Sequence, residues 1–284
     1  MPLPPALLAL LSAACFGGAL IVVHFGLAHA PTHGAARISL STTAILMWAL
    51  APFLLDVSGW HLTAAAIFAL VGLFYPAAVT VITYESNRLL GPTLTGSISS
   101  CSPLFATAFA VMILGERLTL PGIAGCAIIV AALLLMSWQP RARASLGWRL
   151  LLPLTGAAMR ALAQTLGKLG LNLWPSPFAA TLIGYTVSGA AIWTMPQARA
   201  PRRSVRARAV AWFAAAGMLN GSALLLLYHA LKSGKVSVVA PLVALYPVFT
   251  LVFSAVFVRS EALSRRTIVG CLVSVIGVVF LVGA

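Results

Sequence analysis

The segment from Ser102 to Cys126 reads SPLFATAFAVMILGERLTLPGIAGC. It has a proline at its second position, a Gly-Glu-Arg-Leu segment between two apolar runs, and a Gly-Cys pair at its end. The chain repeats this pattern, with one extra residue, from Tyr246 to Cys271 as YPVFTLVFSAVFVRSEALSRRTIVGC. Two similar segments in one chain indicate an internal structural repeat.

The similarity extends upstream of the two quoted segments. Tyr84-Glu85-Ser86-Asn87 precedes the first copy at the same distance at which Tyr228-His229-Ala230-Leu231 precedes the second. The repeat therefore covers more than a single helix and its loop. It predicts that two large parts of the chain share one fold.

The composition is that of an integral membrane protein. Of the 284 residues, 61% are hydrophobic and only 8% are charged, whereas a soluble domain has about 25% charged residues. The net charge of +14 could suggest nucleic-acid binding. Most of the basic residues, however, form short clusters between apolar runs, so we expect a lipid bilayer and no nucleic acid as partner.

The apolar runs predict an all-α membrane protein with ten transmembrane helices. A bilayer core of about 30 Å needs roughly 20 residues of helix, and the connections between the runs are short and rich in proline and glycine. In chain order, spans 1 to 10 are predicted at 4–28, 35–55, 62–86, 93–114, 121–138, 148–171, 177–195, 209–231, 236–258 and 266–283.

The repeat divides these spans into two halves. Spans 3 to 5 are similar to spans 8 to 10, so we expect a first repeat over residues 1–139 and a second over residues 140–284, each with five spans. Because five is an odd number, the second half must enter the membrane from the opposite side. Inverted repeats around a central site are the architecture of alternating-access carriers.

These residues resemble a known family. Tyr84, Ser102-Pro103-Leu104-Phe105, Leu114-Gly115-Glu116-Arg117-Leu118-Thr119 and the helix around Gly125 are similar to the EamA domain of the drug/metabolite transporter superfamily, and Tyr246-Pro247-Val248-Phe249 belongs to a looser second copy. The resemblance implies a ten-helix carrier whose cavity is lined by spans 1, 3, 4, 6, 8 and 9. It also implies that spans 5 and 10 are peripheral. Members of this family export amino acids and other metabolites.

Arg160, Gln164 and Lys168 share one face of span 6, because they are spaced by four residues. A charge at membrane depth normally faces a cavity or a partner, and a guanidinium group can bind a carboxylate or phosphate through two hydrogen bonds. Arg160 and Gln164 are therefore candidate substrate-binding residues. Alternatively, Arg160 bonds backbone carbonyls or Glu85, and Lys168 only extends its amine towards the membrane surface.

Three uncharged residues complete the predicted binding site. Tyr75 and Tyr246 lie deep in their spans, and a tyrosine offers an apolar ring and a polar tip to an amphipathic solute. Asn220 lies centrally in span 8 and could bond the substrate or a neighbouring helix. Tyr84 and Tyr228 lie nearer to span ends, where the interfacial belt of aromatic residues is expected.

The few titratable groups near the spans are candidates for ion coupling. Glu85 could bind a proton or a cation, although it could also pair with Arg88 one turn later. His229, at the matching place in the second half, could carry a proton or simply lie at the headgroup level. Glu116 and Glu261 are interpreted as capping and ion-pairing residues.

Prolines and glycines inside the spans predict local backbone features. Pro103 and Pro247 each remove a backbone donor from spans 4 and 9. Such a break can act as a hinge and expose a carbonyl to the substrate, or it can be a fixed kink. Gly217 and Gly221 are four residues apart in span 8, a spacing that favours close helix packing.

Together these features predict a secondary-active transporter of the bacterial inner membrane. It would export a small amphipathic metabolite, such as an amino acid, by alternating access. Two alternatives remain, namely an exporter of cationic drugs that uses Glu85 and a flippase for an anionic lipid that uses Arg160. The spans contain no paired aspartates, HExxH motif or Ser/His arrangement, so we expect no enzyme activity and no catalytic residue.

The sequence also predicts which partners the protein needs. It has no Walker motif, so the energy must come from a gradient. We expect no cofactor and no metal ion. Because two halves are fused in one chain, a monomer is sufficient for function, although a dimer is possible.

The distribution of basic residues predicts the orientation. The connections after odd-numbered spans, together with the residues flanking them, carry thirteen lysines or arginines, and those after even-numbered spans carry four. Basic residues in short loops mark the cytoplasmic side, so both termini are predicted outside, although EamA relatives more often have them inside. We expect a C-terminal alkaline phosphatase fusion to be active and a C-terminal fluorescent protein that folds only in the cytoplasm to be dark. The reverse pattern would contradict this orientation.

Overall fold

The computed structural model describes residues 3–27, 32–90, 98–99, 101–137, 149, 151–194, 207–257 and 265–283. Within these residues the chain is helical and contains no strand, as expected for backbone that must satisfy its own hydrogen bonds in lipid. The helices are α1 (Pro5–Leu27), α2 (Thr32–Leu54), α3 (Leu62–Phe74), α4 (Ala77–Leu90), α5 (Ser102–Leu114), α6 (Leu120–Ser137), α7 (Leu151–Leu173), α8 (Pro177–Thr194), α9 (Ala207–Ser233), α10 (Val236–Val243), α11 (Tyr246–Phe257) and α12 (Arg265–Val282).

The helices correspond to the ten predicted spans, because two spans consist of two helices each. In span 3, α3 and α4 are separated only by Tyr75 and Pro76. In span 9, α10 and α11 are separated only by Ala244 and Leu245. The predicted all-α architecture of ten spans is therefore confirmed. The predicted start of span 4 lies outside the described residues.

Length and hydropathy support a multi-pass membrane protein. Within the described residues, five segments are long and apolar enough to cross a membrane: Pro5–Val23, Gly34–Leu54, Leu62–Thr83, Ala209–Ser233 and Val236–Phe257. Three shorter helices are also apolar. The helices α7 and α8 are missing from both sets, and many of their residues are buried. Their neighbours therefore shield these two helices from lipid.

A reciprocal pair of hydrogen bonds shows that the two halves are inverted. The indole N–H of Trp48 in α2 donates to the hydroxyl of Thr186 in α8 at 3.0 Å, and that of Trp193 in α8 donates to Ser41 in α2 at 3.1 Å. The same shift along the sequence relates Ser41 to Thr186 and Trp48 to Trp193. The helices α2 and α8 are thus equivalent members of the two halves, and they run antiparallel.

A second pair of contacts obeys the same relation. The hydroxyl of Thr43 in α2 donates to the carbonyl of Gly217 in α9 at 2.6 Å, and that of Ser188 in α8 donates to the carbonyl of Gly72 in α3. Glycine lets the two backbones approach at both places. The second span of each half therefore binds the third span of the other half.

The remaining packing also links the two halves. The helix α1 packs mainly on α9, and its counterpart α7 packs on α3 and α4. The helices α6 and α12 pair with each other at the periphery, and a β-carbon built on Gly125 would lie 2.8 Å from the carbonyl oxygen of Gly277. Neither half forms a separate core, since one buried cluster includes residues of both.

The close contact at Gly217 gives a testable prediction. A β-carbon at this position would lie 2.5 Å from the carbonyl oxygen of Ser39, so Gly217→Ala must separate α9 from α2. We expect the purified protein to lose on the order of 1–3 kcal/mol of stability and to melt at a lower temperature in detergent. Gly184→Ala is the matched control, because a β-carbon there meets no atom within 4 Å. Equal melting temperatures for the two variants would contradict the prediction.

Candidate substrate-binding site

The helix α7 carries the candidate site because small residues let its neighbours approach it closely. A β-carbon built on Gly156 would lie 3.3 Å from Ile82 of α4, and one on Gly167 would lie 2.6 Å from the ring of Tyr228 in α9. Arg160 and Gln164 lie between these two glycines. Their spacing places both residues on the face of α7 that carries these two glycines.

The structure brings together three of the predicted substrate-binding residues. The guanidinium group of Arg160 donates a long hydrogen bond of 3.4 Å to the hydroxyl of Tyr246, and its carbon lies 5.8 Å from the centre of that ring. The phenol of Tyr75 is close enough to interact electrostatically with both groups. Tyr75 lies at the break of span 3 and Tyr246 begins α11, so the site forms where two spans are interrupted.

Two further tyrosines belong to this cluster. Tyr185 of α8 and Tyr228 of α9 are each 2% exposed, and both lie near Tyr75. The expectation that Tyr228 lies in the interfacial belt is therefore wrong. Its ring packs on Gly167, a contact that its position near a span end does not reveal. Of the five tyrosines in the chain, only Tyr84 has a side chain outside the described residues.

Gln164 lies one helical turn from Arg160 and is 5% exposed. Its side-chain oxygen, Oε1, is buried and has no hydrogen-bond partner among the described residues. Arg160 supplies donors, and Gln164 supplies an acceptor. The face of α7 that carries Arg160 and Gln164 therefore offers a hydrogen-bond donor and a hydrogen-bond acceptor.

The charge of Arg160 is not balanced by any carboxylate whose side chain the structure describes. Glu116 is bound elsewhere, as shown below. Asp56 is exposed in the loop after α2, where hydrogen bonds from the side chain and the backbone N–H of Ser58 hold its pKa below the usual value. Glu261 and the side chain of Glu85 lie outside the described residues. Within the described part of the chain, the guanidinium group is thus available to an anionic group.

The helix register places Glu85 away from Arg160 along the membrane normal. Ile82 of α4 is level with Gly156 of α7, and spans 3 and 6 cross the membrane in opposite directions. Glu85 therefore lies beyond Gly156 on the side opposite to Arg160. At 1.5 Å per residue, the two backbone positions differ by roughly 10 Å in depth.

Two other candidates lie apart from the tyrosine cluster. Asn220 is partly buried in α9, between Gly217 and Gly221, and these glycines pack against Ser39 and Thr43 of α2. The close-packing role predicted for the two glycines is thus confirmed. The role of Asn220 in binding stays a prediction.

His229 has an exposed side chain, although the adjacent Tyr228 is buried. The two side chains follow each other on a helix and so point in different directions. His229 is therefore not brought into the cluster. Its predicted role in coupling stays a prediction, as does that of Glu85.

The prolines lie at the predicted interruptions of spans 4 and 9. The N–H of Leu104 donates to the carbonyl of Cys101 at 3.0 Å, and the N–H of Val248 donates to that of Leu245 at 2.9 Å. These bonds occupy equivalent positions in the two halves. Pro103 and Pro247 each lie in the first turn of a new helix, α5 and α11, where a missing N–H is tolerated. Whether they act as hinges stays a prediction.

Glu116 caps a helix of the opposite half. It follows α5, and its carboxylate accepts the N–H of Val236 at 2.7 Å, the N–H of Ser237 at 3.0 Å and the hydroxyl of Ser237 at 2.6 Å. These groups form the N-terminus of α10, which otherwise has unsatisfied donors and a positive dipole end. The predicted capping role of Glu116 is confirmed.

Other contacts close the same face of the protein. The amine of Lys168 donates to the carbonyl of Leu231 at 2.7 Å and to that of Lys232 at 3.3 Å, at the C-terminus of α9. Lys168 is thus bonded to backbone carbonyls and does not join Arg160. Trp174, after α7, packs edge-on against Trp60, with 5.1 Å between the ring centres. The described ends of spans from both halves therefore meet at this face.

Ten spans in two inverted halves, with a charged residue and tyrosines between them, are an architecture typical of membrane transporters. The chain belongs to the EamA-like transporter family, whose model matches residues 3–138 and again residues 147–283. It therefore contains two EamA repeats and is a transporter of the drug/metabolite type.

Comparison with solved structures supports the fold. One crystal structure is similar to this chain with a TM-score of 0.80 and 14% sequence identity, over 97% of this chain and 95% of its own. At this identity the similarity concerns the fold alone. No curated protein matches the sequence.

The cap at Glu116 gives a prediction for this face of the protein. Glu116→Ala leaves two backbone N–H groups and a hydroxyl without their acceptor, so we expect a loss of about 1–2 kcal/mol and a lower melting temperature. Arg117→Ala is the matched control, because this neighbouring side chain is exposed. If both variants melt like the wild type, the carboxylate does not stabilise α10.

Proposed function

We propose that this protein is a secondary-active transporter of the bacterial inner membrane that exports a small amphipathic metabolite, such as an amino acid, by alternating access. The observation that carries the proposal is the position of Arg160. Its charge lies beside Tyr246 and near Tyr75, and no carboxylate whose side chain the structure describes balances it. A positive group held in this way favours an anionic ligand.

The chemistry of the site suits a solute with two different ends. Arg160 would bind a carboxylate through paired, charge-assisted hydrogen bonds, and its contact with Tyr246 would orient the guanidinium plane. The rings of Tyr75, Tyr185 and Tyr228 would contact the apolar part of the solute. An apolar amino acid has both of these features.

The transport cycle would use the inverted repeat. One half would rock against the other about the equivalent spans 4 and 9, where Pro103 and Pro247 lie in the first turns of α5 and α11. With the termini outside, the face closed by Glu116 and Lys168 would be the outer one. Its contacts would then have to open to release the solute.

Glu85 is a better candidate than His229 for coupling to a proton gradient, because the imidazole is exposed and turned away from the tyrosine cluster.

The proposed site takes residues from both halves of one chain: Tyr75 from the first and Arg160 and Tyr246 from the second. A monomer would therefore be sufficient, although a dimer is compatible with this arrangement.

The alternative ligands differ in charge. A phosphate of an anionic lipid would also bind Arg160, and the lipid would have to reach the site from the bilayer. A cationic drug would be repelled by Arg160 and would depend on Glu85. Zwitterionic, anionic and cationic solutes therefore distinguish the three functions.

The test uses the purified protein in proteoliposomes, with leucine, phosphatidylglycerol and tetraphenylphosphonium as competing probes. We expect leucine to bind and to be transported, and Arg160→Ala to weaken binding about 30-fold, since a hydrogen bond to a charged group is worth about 2 kcal/mol. Arg37→Ala is the matched control, because Arg37 lies in α2 and contacts Trp193 at 4.7 Å.

The outcomes separate the proposals. Unchanged leucine affinity in Arg160→Ala would contradict the site. Binding of tetraphenylphosphonium alone would favour the cationic-drug exporter, and movement of phosphatidylglycerol alone would favour the flippase.

A further inference from the structure

The side-chain amide of Gln164 differs from the other described polar groups of α7. Its oxygen is buried and has no hydrogen-bond partner in the part of the chain that the structure describes. By contrast, the hydroxyl of Thr165 donates to the carbonyl of Ala161 at 3.1 Å, and the amine of Lys168 is satisfied by α9. A buried acceptor without a partner is costly and rare in native proteins.

The position of Gln164 relates it to the proposed carboxylate site. Residues four apart on a helix have β-carbons about 5–6 Å from each other, so the amide of Gln164 lies beside the guanidinium group of Arg160. Tyr246 contacts the Arg160 end of this pair, and Tyr228 packs at Gly167 beyond the other end. A donor that occupies the space beside a bound carboxylate would thus reach Oε1 of Gln164.

We propose that Oε1 of Gln164 accepts a hydrogen bond from a donor on the carbon next to the carboxylate of the solute. This inference rests on the proposed function and assigns a separate task to Gln164. Arg160 binds the carboxylate of any acid, whereas Gln164 selects acids that carry an adjacent ammonium or hydroxyl group. A simple carboxylic acid leaves the buried acceptor unpaired and binds more weakly.

The selectivity can be measured with matched solutes. The probes are leucine, its hydroxy analogue 2-hydroxy-4-methylpentanoate and its analogue without a donor, 4-methylpentanoate, with the corresponding sets for methionine and phenylalanine. Binding is measured on the full-length protein in nanodiscs. We expect the wild type to bind the donor-bearing acids about tenfold more tightly, equivalent to about 1.4 kcal/mol. The ratio of the affinity for leucine to the affinity for the hydroxy analogue then shows whether the site prefers an ammonium or a hydroxyl group.

Variants of Gln164 test its role directly. Gln164→Leu should bind 4-methylpentanoate with the same affinity as the wild type. Its affinity for leucine should fall to the affinity for 4-methylpentanoate. Gln164→Glu keeps an acceptor at this position and should keep the preference for leucine. Thr165→Val is the matched control, because its hydroxyl bonds within the helix, and its selectivity should equal that of the wild type.

The results separate this inference from the function on which it rests. If the wild type prefers leucine and Gln164→Leu keeps the full preference, the inference is wrong while the transporter proposal stands. The same holds if the wild type binds leucine and 4-methylpentanoate equally well. If the wild type binds none of these acids, both are overturned.

Discussion

The interior of a bilayer offers no water, so each polar group in a span must find its partner within the protein. The hydroxyls of Thr43 and Ser188 find theirs in the carbonyls of Gly217 and Gly72 on a neighbouring helix. At both places a glycine lets two backbones approach closely, and the two bonds occupy equivalent positions in the two halves. This constraint determines how the halves pack together. Within the described part of the chain, the oxygen of Gln164 has no hydrogen-bond partner and so requires an explanation.

The scaffold is symmetric, but the candidate site is not. The helix α1, which is equivalent to α7, contains neither arginine nor glutamine, so the donor and acceptor pair exists once. Tyr75 and Tyr246 reach it from interruptions in spans that are not equivalent to each other. A symmetric site would offer the same groups to both ends of a solute. In the proposed function, these departures from symmetry would let the site distinguish the charged end of the solute from its apolar end.

Much of the fold follows from local sequence. Apolar runs of span length and the repeated segment at Ser102 and Tyr246 predict ten spans in two inverted halves. The grouping of Arg160 with Tyr75 and Tyr246 was also predictable, because polar groups at membrane depth face a cavity or a partner within the protein. The short distance of Tyr228 from a span end predicts a position at the membrane surface, because this distance is the only information that the local sequence gives. Its contact with Gly167 depends on another helix and leaves no local signal.

The sequence by itself determined the class of fold, the internal repeat and the charged face of span 6, because hydropathy, similarity and helical spacing are properties of one segment at a time. The folded structure, by contrast, makes Glu116 the cap of α10, bonds Lys168 to the end of α9 and leaves Oε1 of Gln164 without a hydrogen-bond partner among the described residues. These outcomes depend on which helices pack against each other in the folded chain. Partners far apart in the chain are chosen by packing, and packing is a property of the whole molecule.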